Sequence, residues 1–140
     1  MFGFFRRRET AKPDPVRAEF ERIRKTLRSG PERDQALIGH VINLANSFFL
    51  HEYKSVEAFA ALPLEKRTAY MTVVEAKIQE MKAKGDLLSM VGLDLFRLWL
   101  AETSAKTPDT AFLKEVETIM VELTKKGADL LPELADKKQG

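Results

Sequence analysis

An all-α domain, a single bundle of five to six helices, is what this 140-residue sequence predicts, on three observations. Apolar residues recur at spacings of three and four through most of the chain. No segment alternates with period two over strand length, and proline, glycine, serine and aspartate punctuate the periodic stretches as helix starts, stops and caps. The composition, 44% hydrophobic and 31% charged, is that of an ordinary globular domain. A chain of this size buries about 68–70% of the surface its unfolded form exposes, so no disulfide, metal or cofactor is needed to explain folding.

Each element has its own signals. Residues 1–14 read as a basic, aromatic leader ending in Lys12, Pro13, Asp14 and Pro15, where two prolines favour extended backbone and Asp14 is placed to cap the first helix. The helical domain spans 15–136, with 137–140 as a frayed tail. Val16, Phe20, Ile23 and Leu27 share one face of a helix over 15–29, which Ser29, Gly30 and Pro31 stop. A second helix starts near Pro31, with Glu32 and Asp34 at the positive end of its dipole, and runs to about Tyr53. Its apolar set is broad, including Leu37, Val41, Leu44, Phe48 and Phe49, which predicts a central position.

Ser55 caps a short helix, and Pro63 opens a longer one through Met71, Val74, Ile78 and Met81 that Gly85 ends. Asp86 to Ser104 is a second heavily apolar helix, expected to be the other central one. Thr107, Pro108 and Asp109 read as cap, first helical residue and early acid of a last helix that buries Phe112, Val116, Ile119, Met120 and Leu123 and ends at Gly127. Leu130, Leu131 and Leu134 around Pro132 then add a final turn.

Charge is unevenly spread. Residues 1–33 carry ten Lys/Arg against five Asp/Glu, whereas the remainder carries thirteen against sixteen. The first eight residues join Phe2, Phe4 and Phe5 to Arg6, Arg7 and Arg8, rings suited to a lipid interface beside cations suited to anionic headgroups, and are expected to dock to a membrane or to a partner. They lack the order of a secretory signal, because the charges follow the apolar residues. The longest uncharged run, Gln35 to Leu50, is sixteen residues against the roughly 20 that a spanning helix wants. With no Cys, nothing argues for an oxidising compartment, so the expected location is the cytoplasm, peripheral at the inner membrane face where the leader engages lipid.

Catalytic signatures are missing. There is no phosphate loop, no dinucleotide fingerprint, no Gly-x-Ser-x-Gly elbow and no His-Glu-x-x-His zinc helix. His40 and His51 share a helix face but lie roughly 16 Å apart along its axis, too far to ligate one metal. Neither has a Glu three residues before it, as a di-iron bundle needs, and both fall on one helix, where a haem pocket draws on two. Asp94, alone in an apolar helix, reads as a solvated edge paired with Arg97 rather than as a buried catalytic acid.

The sequence therefore predicts a non-enzymatic protein-interaction module with no catalytic, cofactor or metal residues: an adaptor, secretion-chaperone-like or regulatory protein holding a protein partner in a groove between amphipathic helices. A polar groove along His40, Asn43, Ser47 and His51 is one candidate. The first alternative is nucleic-acid binding through a basic face of Arg17, Arg24 and Arg28 together with the leader, although Glu21 neutralises part of that face, and the lesser one is an enzyme of unknown class using Asp94, His40 or His51. Homodimerisation through an exposed apolar face stays open.

Overall fold

The computed structural model describes the backbone of residues 15–139 and the side chains of residues 15–130. The leader therefore lies outside the described residues, with Phe2, Phe4, Phe5, Arg6, Arg7, Arg8 and the expected cap Asp14. Among the described residues there are six helices and no strand: α1 (Pro15–Ser29), α2 (Glu32–Tyr53), α3 (Val56–Ala60), α4 (Leu64–Lys84), α5 (Leu87–Thr103) and α6 (Thr110–Gln139). The all-α bundle predicted from periodicity is the fold.

Ser55 and Gly85 cap their helices as predicted, and Asp86, expected as the first residue of its helix, is its cap. Ser55 Oγ accepts from the Ala58 N–H at 3.0 Å and Asp86 Oδ1 from the Ser89 N–H at 3.1 Å, so each satisfies an amide that has no intrahelical partner. Gly85 takes φ +76°, and the amides of Gly85 and Asp86 donate back to the carbonyls of Lys82 and Met81, closing α4 with a left-handed cap. At the α1–α2 corner, Gln35 Nε2 donates to the carbonyls of Leu27 (2.8 Å) and Gly30 (3.0 Å), while its Oε1 accepts from Lys126 Nζ of α6. One amide thus ties three helices.

The last helix departs from expectation at both ends. Its cap is Asp109, whose Oδ1 accepts from the Phe112 N–H at 3.1 Å, so α6 begins at Thr110 and leaves Thr107 and Pro108 in the preceding loop. At the other end it runs through Gly127 and Pro132 to Gln139 instead of stopping at Gly127. Packing explains the glycine. A Cβ at Gly127 would lie 2.9 Å from the Ala36 carbonyl oxygen and 3.2 Å from the His40 nitrogen, so Gly127 serves the α2–α6 crossing rather than a helix end.

Helix α5 is central, touching α1, α2, α4 and α6. Helix α2 has its largest contact with α6. The two are antiparallel, since Gly39 meets Leu123 while Ala36 meets Gly127. The core forms two clusters. One joins Phe20, Ile23 and Leu27 of α1 to Ile42, Leu95, Val116 and Leu123. The other is aromatic, Phe49, Phe59 and Phe96 with Tyr53 and Tyr70 packed around them, and Trp99 borders both. Helix α2 lies against α5 and α6, but its broad apolar set is not all buried: these two cover adjoining sides, while Leu44 and Phe48 remain 43% and 71% exposed because no described helix lies over them.

Candidate functional site

A trough of about 550 Å³ lies between α1 and α6. These helices run parallel: Arg17 reaches Asp109, Arg24 reaches Glu115, and Gln35, just past the end of α1, reaches Lys126. Its apolar floor comes from Leu27 of α1 and from Ala111, Ile119 and Leu123 of α6, of which Ala111 is exposed and Ile119 half-buried, while Leu27 and Leu123 show only the outer edge of the core at 6% and 3% exposure. The α6 lining runs from Ala111 to Lys126, fifteen steps that extend about 22 Å at the helical rise. A row of cations, Arg24, Arg28, Lys114 and Lys126, stands over this floor against two carboxylates, Glu115 and Glu122.

Arg24 and Arg28 of the predicted basic face line one wall of this trough while Arg17 lies outside it, and the three arginines differ. Arg17 donates to Asp109 Oδ2 at 2.9 Å, lies 3.8 Å from Glu115 and stacks 4.7 Å over the Phe112 ring. Arg24 holds both oxygens of Glu21 at 2.7 and 2.8 Å and sits 3.8 Å from Glu115, with its Nε–H buried and without a hydrogen-bond acceptor among the described residues. Arg28 forms no ion pair within 4.0 Å among the described residues, and neither does Lys114. Two of the three guanidiniums are thus already engaged by carboxylates, which leaves a sparse phosphate-binding surface. Asp109, capping α6 and bonded to Arg17, is held below the usual carboxylate range by the Phe112 amide first and the Arg17 guanidinium second.

The polar row on α2 is not gathered into one groove. His40 is half-buried at the α2–α6 crossing, where its backbone nitrogen faces Gly127. Asn43 lines a smaller groove of about 350 Å³ with Asn46, Trp99, Met120 and Val121, while Ser47 and His51 face solvent. On the edge of that groove Trp99 Nε1 donates to Glu117 Oε2 at 2.9 Å. Among the described residues no group of three or more His, Asp or Glu is placed to hold a metal ion.

Asp94 forms the expected pair with Arg97, Oδ1 to Nη2 at 3.4 Å, but its side chain is only 14% exposed, so the edge is less solvated than predicted. Burial first, and the Glu19 carboxylate second, raise its pKa above 3.8 against the pull of Arg97. The folded protein therefore holds this proton more firmly than the unfolded chain. Stability falls as pH rises from below 3.8 through the raised folded value. Asp94→Asn is expected to unfold at higher urea concentration than wild type at neutral pH and to lose that advantage near about pH 3, where both side chains are neutral. An equal midpoint at neutral pH would show that the pair with Arg97 offsets the burial.

Tyr70, in the aromatic cluster, has its hydroxyl pushed up to about 12, mainly by burial, and so stays protonated at neutral pH. No described helix is long and apolar enough to cross a membrane. No protein-family model, curated protein or solved structure matches this chain. The geometry alone carries the reading of function.

Ile119 and Leu123 are legible in the sequence as inward positions of their helix. Lys114, Lys126 and Gln35 are not legible there as parts of a site, because periodicity assigns a residue to a face and not to a neighbouring helix. The one signal available is the coincidence of an apolar stripe with flanking cations on both α1 and α6.

Proposed function

We propose that this chain is a non-enzymatic protein-interaction module, of the adaptor, secretion-chaperone-like or regulatory kind, that holds a partner in the α1–α6 trough. The observation that carries the reading is the shape of the trough: about 22 Å long, open, and apolar along its floor. Small-molecule sites bury most of their ligand's surface within a concave cavity, whereas a long, shallow groove with an apolar floor matches the seat of a partner helix. In the same reading the chain works in the cytoplasm, and residues 1–8 add peripheral contact with an anionic membrane or with the partner.

Affinity capture from the soluble and membrane fractions of the native host tests this, with three baits: full length, a chain beginning at Pro13, and full-length Thr118→Trp. Thr118 is exposed and lines the trough, so the indole plugs the groove without entering the core. A protein retained by the first two baits and lost with Thr118→Trp is the expected result, with recovery from membranes lower for the shortened bait. Retention by Thr118→Trp equal to wild type, or recovery of nucleic acid alone, would reject the trough as a protein-docking surface.

A further inference from the structure

We infer that the partner segment held by the α1–α6 trough is an acidic amphipathic α-helix, laid lengthwise along α6 with its apolar stripe on Leu27, Ile119 and Leu123. This rests on the reading of the trough as a protein-docking surface and adds the chemistry of what docks. Three observations support it. The first is charge: Arg24, Arg28, Lys114 and Lys126 line the trough against Glu115 and Glu122.

Glu115 is already flanked by Arg17 and Arg24 at 3.8 Å each, so the carboxylate left facing a ligand is Glu122. Against it stand Arg28 and Lys114, without ion pairs among the described residues, and Lys126, bonded to the neutral amide of Gln35. A ligand bearing carboxylates along both flanks meets this excess of cations, whereas a basic ligand would leave them unpaired and repelled.

The second observation is length. About 22 Å of trough matches an α-helix of about 15 residues, four turns, with apolar side chains at i, i+4, i+7 and i+11 following the floor. The third separates this ligand from a single-stranded nucleic acid, which also carries negative charge. No aromatic side chain lines the trough, and its floor is aliphatic, so it lacks the stacking platform on which single strands bind.

The test measures direct binding to the full-length protein by fluorescence anisotropy. The probe is a labelled synthetic helix of about 15 residues, with Leu at the four stripe positions and Glu on its flanks, compared with a Lys-flanked counterpart and a scrambled Glu peptide. The Glu-flanked helix is expected to bind saturably and at least about tenfold more tightly than either comparison, and more weakly as salt rises. Arg28→Glu combined with Lys114→Glu, both at exposed positions, is expected to weaken the Glu-flanked helix by about tenfold or more and to favour the Lys-flanked one. Circular dichroism confirms that the double variant is folded.

Equal binding of Glu- and Lys-flanked helices, indifference to the double reversal, or no saturable binding of the Glu-flanked helix overturns the inference. The two readings fail separately. Should Thr118→Trp abolish capture of a host protein while the charge reversals leave that capture intact, the trough docks a protein and the acidic helix is wrong. If Thr118→Trp changes nothing, the trough itself is wrong.

Discussion

Gly39→Ala is expected to be the most damaging addition of a single methyl group to this chain. The Cβ it introduces would lie 1.8 Å from the Leu123 carbonyl oxygen and 2.3 Å from its carbon, inside any tolerable contact. The obstacle is backbone, so no side chain can rotate away, and α2 and α6 must move apart along their largest contact. Overpacking a core ordinarily costs about 1–3 kcal/mol, and alanine's better helix propensity returns up to about 1. Because the displaced element is an entire helix, the net loss is placed at about 3 kcal/mol, a fall in Tm of roughly 10 °C.

Thermal and urea unfolding check the value. Gly85→Ala is the control, because a Cβ there meets nothing within 4 Å and the cost is only that of a left-handed φ, about 1–2 kcal/mol. Equal losses for the two variants would mean that α2 and α6 do not approach so closely.

That contact also explains why parts of this fold are legible in the sequence and parts are not. Ser55, Gly85 and Asp86 act through amides and carbonyls within four residues of themselves, so their roles can be read locally. Gly127 resembles Gly85 on paper. Its role is set by Ala36 and His40, from a distant stretch of the chain, and no local pattern distinguishes a glycine that stops a helix from one that lets two helices touch. Phe48 and Phe49 make the same point about burial: both belong to an apolar run, yet one is 71% exposed and the other 0%. The basic face is legible as a row on α1. Its conversion, at Arg24 and Arg28, into a trough wall depends on Asp109 and Glu115 arriving from the far end of the chain.

Phe49→Ala is expected to cost about 3–5 kcal/mol, the range for deleting a fully buried ring. Phe49 is 0% exposed, with ring centroids of Tyr53 at 5.4 Å, Phe59 at 5.3 Å, Tyr70 at 5.7 Å and Phe96 at 6.1 Å. These neighbours come from α2, α3, α4 and α5, so one ring joins four helices. Helix α3 has five residues, far below the roughly 12–15 at which an isolated helix becomes even marginal, and Phe59 is its buried anchor. The damage should therefore be concentrated there.

Hydrogen exchange is expected to show the amides of Ala58 through Leu62 losing protection first, while α1 and the first half of α6 keep theirs because they pack in the other core cluster. Phe48→Ala, one residue earlier on the exposed side, is expected to stay within about 0.5 kcal/mol of wild type. A uniform loss of protection across all six helices in Phe49→Ala would show that the aromatic cluster and the α1–α6 trough unfold as one cooperative unit. The trough's shape would then depend on a ring in the other core cluster, none of whose buried residues lines its floor.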